Sequence, residues 1–274
     1  MTAAGPVPAA GPVPAADPVP GLLLAVDFDG TVCRADAPVR VYAGLIAQAM
    51  APAEGERLRA AVERYLAEGA AAADTAADLV EAAVLREAGD AWGVVQQLAA
   101  RCYRVPQELA ALAFTRSRRW MIDPASDVGL VEPLMDTLAA LRPAARVTMV
   151  TNSPADNMMP LLKRLGILDC FDNIVAGARK PDGMRRFLQG SLGADLRDRP
   201  WRLFSLGDHY RNDIAPAVEI GAAAGYIDRF GRGDGPATAR AARVEDLLPV
   251  LRAWADDPRA ATRHGALTGF GGQG

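Results

Sequence analysis

The chain has 274 residues, half of them apolar and 23% charged, with a formal net charge of −3 at pH 7. That length suits one large or two ordinary globular domains, and the charge gives no electrostatic reason to expect nucleic acid or an anionic membrane as partner. The cysteines Cys33, Cys102 and Cys170 are odd in number and far apart, which argues against a disulfide framework or a zinc site.

In chain order, residues 1–20 carry three near-copies of a six-residue unit, Ala3–Pro8, Ala9–Pro14 and Ala15–Pro20. Proline and small residues bury too little surface to fold, so an extended, solvated tail is expected. Neither a signal-peptide pattern nor an apolar segment near the ~20 residues that cross a bilayer follows, and the expected compartment is the cytoplasm.

The run Leu22–Val26 is apolar without alternation, as in a parallel strand buried on both faces. It ends in Asp27, Phe28, Asp29, Gly30 and Thr31. Residues two apart in extended chain point to one side, so both acids can serve a pocket at the carboxyl end of the strand, where open α/β sheets bind ligands. Gly30 lets the backbone turn and come close to a ligand. Two acids beside buried apolar chain repel each other, and a hard divalent cation with oxygen ligands, Mg²⁺, is the expected neutraliser.

Roughly 115 residues then pass before the next convincing strand at Arg146–Thr151, whereas a parallel crossover needs about 30. The surplus is an insertion. Val41, Leu45, Ile46 and Met50 repeat at helical spacing, as do Leu58, Ala61, Val62, Tyr65 and Leu66, then Trp92, Val95, Leu98 and Cys102. These predict an all-helical cap over 35–122, with Leu130 to Leu141 as the crossover helix on return. Strands and helices alternate from there: strands at Val147–Thr151, Asn173–Ala176, Leu203–Leu206 and Ala224–Ile227, helices from Pro154 to Leu165 and from Asp213 to Ile220, and a closing helix from Val244 to Trp254. The expected fold class is α/β. A doubly wound parallel-sheet core (21–34 and 123–256) carries the helical cap, and 257–274 forms a flexible tail.

Polar residues collect at the ends of these strands: DFDGT at 27–31, VTN at 150–152, KP at 180–181 and GDHYRND at 207–213. The set, in this order over roughly residues 21–230, resembles the haloacid dehalogenase-like (HAD) hydrolase superfamily, whose core is Rossmann-like. The cap between the first and second motifs resembles the phosphoglycolate phosphatase and β-phosphoglucomutase side of that family. The resemblance implies Mg²⁺-dependent hydrolysis of a small phosphomonoester through an aspartyl-phosphate. Asp27 would be the nucleophile, and Asp29 the general acid and then base. Thr151 and Lys180 would grip the phosphoryl oxygens, with Gly30 and Asn152 offering backbone N–H groups. Asp27, the backbone carbonyl of Asp29, and Asp208 would hold Mg²⁺, with Asp213 close by. Phosphoryl transfer needs mainly positioning and charge compensation, which this inventory supplies. The role of Lys180 rests mostly on the resemblance.

Other residues divide between two readings. Arg34, just past the first motif, is either a substrate contact or a solvated linker arginine. Arg116, Arg118, Arg119 and Trp120 form a basic patch that reads first as a solvated helix face and second as a site for an anionic or planar substrate part. His209 reads as a rim histidine, and Cys33 as a packing residue. Dehalogenation is disfavoured, because halide leaves without a proton and the family's dehalogenases lack the second aspartate. A phosphonatase would want a cap lysine, and 35–122 contains none. A phosphomutase shares every core residue, and a phospho-ligand-binding protein without catalysis is the reading from another class.

Overall fold

The structure, a computed structural model, describes residues 21–193 and 198–264. The proline-rich repeats and the glycine-rich end lie outside these.

Six strands form one parallel sheet: β1 (Leu22–Val26), β2 (Ala145–Val150), β3 (Asn173–Val175), β4 (Leu203–Gly207), β5 (Ala223–Ile227) and β6 (Ala239–Ala241), in the order β3-β2-β1-β4-β5-β6. Both faces of β1 are covered, which is why its sequence is unbroken apolar. Leu24 and Val26 pack with Leu134, Leu138, Met158 and Leu161, while Leu23 and Ala25 face Met184, Phe187 and Ile214 on the opposite side. The strand order reverses between β1 and β4. Connections leave such a switch point toward opposite faces and open a crevice at the carboxyl ends of the strands.

The helices that cover the sheet are α6 (Glu132–Leu141), α7 (Ala155–Arg164), α8 (Asp182–Leu192), a short α9 (Ala215–Val218) and α10 (Leu248–Asp256). Three expectations are corrected. The sheet has a sixth strand, β6, whose Ala-Arg-Ala sequence carries no apolar run to announce it. The helix expected from Asp213 to Ile220 is preceded by a π-helical turn over Tyr210–Ile214 that takes in Asp213, and its regular part runs only over Ala215–Val218. Residues Pro258–His264, placed in a flexible tail, form a further helix, α11, packed against α10 and the Pro200–Arg202 turn.

Between β1 and α6 the insert holds five α-helices: α1 (Ala37–Ala47), α2 (Pro52–Glu68), α3 (Leu79–Glu87), α4 (Ala91–Gln97) and α5 (Gln107–Trp120). Prolines in the first turns of α1 and α2 start them, and Asp78 and Asp90 cap α3 and α4 by accepting backbone N–H groups. This insert has its own apolar cluster of Tyr42, Leu58, Tyr65, Val94 and Leu98, with one residue from far along the chain, Phe230. The loop after β5 brings Phe230 there. Its ring lies 4.6 Å from that of Tyr65, and its carbonyl accepts from Ala70 N–H at 2.8 Å. A Cβ on Gly69 (φ +63°) would stand 2.4 Å from the same carbonyl, so glycine permits the approach. Arg232 then donates to the carbonyls of Arg86 (2.8 Å) and Ala88.

Candidate active site

The carboxyl ends of β1, β2 and β4 and the facing surface of the insert enclose a cavity of about 240 Å³. From the sheet it is lined by Asp27, Asp29, Thr151, Asn152, Ser153, Lys180, Asp208 and Asp213, and from the insert by Asp90, Trp92, Phe114 and Arg118.

The sheet side is a knot of acids around one lysine. Asp27 continues β1, and its N–H donates to Leu206 O at 2.9 Å, which ties it to β4. Lys180 Nζ donates to Asp27 Oδ1 (2.6 Å), Asp213 Oδ1 (2.5 Å) and Val150 O (2.9 Å), so all three of its protons are engaged. The backbone N–H of Lys180 donates to Asn152 Oδ1 at 2.7 Å, which fastens its loop to the end of β2. Asp213 is fixed from behind: Ser205 Oγ donates to its carbonyl at 2.6 Å, and His209 N–H donates to Oδ2 at 3.1 Å. Gly30 has φ +83°, and a Cβ there would fall 1.9 Å from Asp208 Oδ2, so glycine is what admits the Asp208 carboxylate to this space.

One carboxylate oxygen from each of Asp27, Asp208 and Asp213 lies within 4.8 Å of the others. Burial pushes Asp27 up to about 7, with Lys180 opposing and Asp213 and Asp29 adding to the rise. Burial likewise lifts Asp208 well above the carboxylate range, reinforced by Asp27, Asp90 and Asp213. Lys180 stays charged, because the attraction of Asp213 and Asp27 outweighs its burial. Ionising all three carboxylates against the single ammonium would leave two negative charges uncompensated, which is what burial resists by raising Asp27 and Asp208. That deficit, with oxygen-only donors, fits a hard divalent cation such as Mg²⁺.

The insert side is different. Arg118 is 1% exposed, and its Nη1 donates to Asp29 Oδ1 at 2.6 Å. Its guanidinium lies 5.3 Å over the Trp92 ring, and Nη2 approaches Met158 Sδ at 3.4 Å. Ser153 Oγ donates to the other oxygen of Asp29 at 2.9 Å, and Ser153 N–H donates to Thr151 Oγ1 at 3.1 Å. Asp29 therefore stands outside the acid triad, as half of a charge-balanced pair.

Of the residues singled out in the sequence, Asp27, Asp29, Thr151, Asn152, Lys180, Asp208 and Asp213 line this one cavity, and Gly30 adjoins it. Arg34 does not line it: Nη1 is held by Glu245 at 2.8 Å, and the residue belongs to the link between sheet and insert. The basic patch is corrected for one member. Arg116 and Arg119 are exposed, but Arg118 is buried in the cavity wall. The three sit close together in sequence, yet only Arg118 falls one turn after Phe114, on the inward face of α5. That i, i+4 pairing was the available signal. His209 also lines the cavity, half-buried, with its imidazole against Gly89 of the insert, where a Cβ would stand 2.0 Å from Nε2. Ser153 was missed outright; its only mark is adjacency to Asn152. Burial pushes the Cys33 thiol up to about 12, which leaves it a packing residue.

The sequence model of the haloacid dehalogenase-like hydrolases matches residues 23–191. No curated protein matches the chain in sequence. Among solved structures, a haloacid dehalogenase-like family hydrolase from Xanthomonas campestris superposes with a TM-score of 0.52 at 17% identity, over 91% of this chain and 99% of that one. The HAD-hydrolase YfnB from Bacillus subtilis, bound to magnesium, gives a TM-score of 0.52 at 14% identity, over 84% and 98%. An L-2-haloacid dehalogenase from Xanthobacter autotrophicus gives 0.49 at 16% identity, over 84% and 98%. At such identities the likeness is one of fold.

Proposed function

Since the chain belongs to the haloacid dehalogenase-like hydrolases, we propose that it is a Mg²⁺-dependent phosphatase acting on a small phosphomonoester. The observation that carries this reading is a triad of acids gathered around a single lysine, sharing its cavity with a further, separately held acid, Asp29.

In the substrate complex Asp29 carries a proton, taken up as its pairing with Arg118 is released; Asp27 Oδ attacks phosphorus, the ester P–O bond breaks, and Asp29 gives that proton to the departing alkoxide. Water then attacks the aspartyl-phosphate, Asp29 takes the proton from that water, and phosphate leaves with Asp27 restored. Lys180 keeps the nucleophilic carboxylate aimed and offsets charge that gathers on the phosphoryl group. Thr151 offers a buried hydroxyl at the same end of the cavity. Asp27, Asp208 and Asp213 would hold Mg²⁺, which when bound supplies positive charge against the phosphoryl oxygens. The insert acts as a cap, walling the cavity from water with Trp92, Phe114 and Arg118. Asp29 has no task in expelling halide, which needs no proton, and every task in expelling an alkoxide.

The test is phosphate release from p-nitrophenyl phosphate with Mg²⁺. Wild type turns it over, and Asp27→Asn slows it by on the order of 10⁴. Equal release by the two proteins would remove Asp27 as nucleophile.

A further inference from the structure

Arg118 is costly to keep where it is. A guanidinium withdrawn from water loses several kcal/mol of hydration, which a good ion pair offsets only when its remaining donors are also satisfied. Here they are not. Arg118 meets Asp29 through Nη1 alone, its Nη2 has only a thioether for partner, and its Nε is buried with no hydrogen-bond partner among the described residues. An arginine fork presents two parallel N–H groups to a carboxylate or phosphate, and a purely structural ion pair would use both. The side chain is nonetheless rigid, stacked on Trp92, whose ring in turn meets Phe114 edge-on at 5.5 Å. It lines the cavity beside the acid that would protonate the leaving group.

We propose that Arg118 is the specificity-determining contact for a second anionic group, carried on the alcohol part of the phosphomonoester, and that Asp29 occupies that anion's place when no substrate is bound. On binding, the substrate anion takes the arginine fork, and Oδ1 of Asp29 comes free beside the ester oxygen. A neutral leaving group cannot make this exchange: it leaves Arg118 on Asp29 and gains nothing for desolvating the cavity wall. The cavity of about 240 Å³ must hold the phosphoryl group as well, so the anion sits only a few carbons from the ester. The inference deepens the phosphatase reading and rests on it.

The test uses a matched pair, 3-phosphooxypropanoate and its carboxamide, which differ in charge but hardly in shape. Propane-1,3-diol bisphosphate against the monophosphate separates a phosphate reader from a carboxylate reader. In the full-length wild-type protein with Mg²⁺, kcat/KM favours one anionic ester over its neutral partner by roughly 10²-fold or more. In Arg118→Gln that ratio collapses toward one, and in Arg118→Lys, which keeps charge without the fork, it falls partway. Circular dichroism checks that both variants fold; if neither does, the wild-type ratio still decides. A wild-type ratio within about threefold for both pairs overturns the inference, as does a ratio that survives in folded Arg118→Gln. If p-nitrophenyl phosphate is hydrolysed while all four esters are refused, the phosphatase reading stands and the anion reader falls. If p-nitrophenyl phosphate is not hydrolysed, both fall.

Discussion

The two ends of the cavity solve the same electrostatic problem in opposite ways. On the sheet side, Asp27, Asp208 and Asp213 crowd around Lys180 and remain short of positive charge. On the insert side, Asp29 and Arg118 cancel one for one. A site that stays under-compensated invites a cation, whereas a balanced pair invites exchange with another anion. Chemistry on phosphorus is proposed for the first end and selection among alcohols for the second.

The sharpest way to break this contrast is Lys180→Met. Two buried acids lose their common counter-ion, and leaving a buried charge unpaired costs about 3–5 kcal/mol. Chemical denaturation should show a loss of that size without metal, partly recovered with Mg²⁺, and phosphatase activity should disappear. A variant of unchanged stability would mean that the lysine is not what holds the acids together.

Asp29→Ala acts on the other end. Turnover of alkyl phosphates should fall by roughly 10² to 10⁴, whereas p-nitrophenyl phosphate, whose phenolate leaves with little help, should lose much less. Rates measured side by side give the ratio, and an equal loss on both substrates would reject proton donation.

A smaller effect lies in the pH dependence of stability. In the folded protein without metal, Asp27 titrates at about 7 rather than the usual 3.8. Between those values the folded state keeps a proton that the unfolded chain has released, so stability falls as pH rises through this window and levels off above it. The loss should amount to about 2–4 kcal/mol. Mg²⁺ takes over the proton's role and should flatten the curve, as should Asp27→Asn. Thermal melts from pH 5 to 8 with and without Mg²⁺ check the sign; a profile that rises with pH would contradict it.

The least effect belongs to Arg34→Ala. Its pair with Glu245 is partly solvated, which limits the change to within about 1 kcal/mol. Because the side chain does not line the cavity, kcat/KM ratios across the matched esters should not move.

The two ends were also unequally legible in the sequence. Strand ends advertise themselves: an apolar run stops, an acid or amide follows, and the period of two fixes which side chains share a face. Asp27, Asp29, Thr151, Asn152 and Asp208 could be read that way, and they line one cavity. Lys180 carried no such mark, because it sits in a loop beyond β3 and reaches the acids only through tertiary folding. In the insert, helical spacing showed which residues are buried but not against what. Arg118 was grouped with Arg116 and Arg119 by proximity along the chain, although the helix sends them to different faces. β6 escaped notice for the opposite reason: three residues at the sheet edge contain too little apolar sequence to stand out from a loop.

Phe230 bears on how this molecule could be re-engineered. The helical insert leaves and rejoins the chain at two places, which tempts one to treat it as an exchangeable cassette between Arg34 and Asp123. Yet its apolar centre is finished by a ring contributed more than a hundred residues downstream of the second junction, with Gly69 and Arg232 shaped to receive and clasp it. A graft that swaps only the contiguous stretch would strand that phenylalanine in water and leave the donor helices with an unfilled hole. Any functional transplant must carry the loop 228–235 as well.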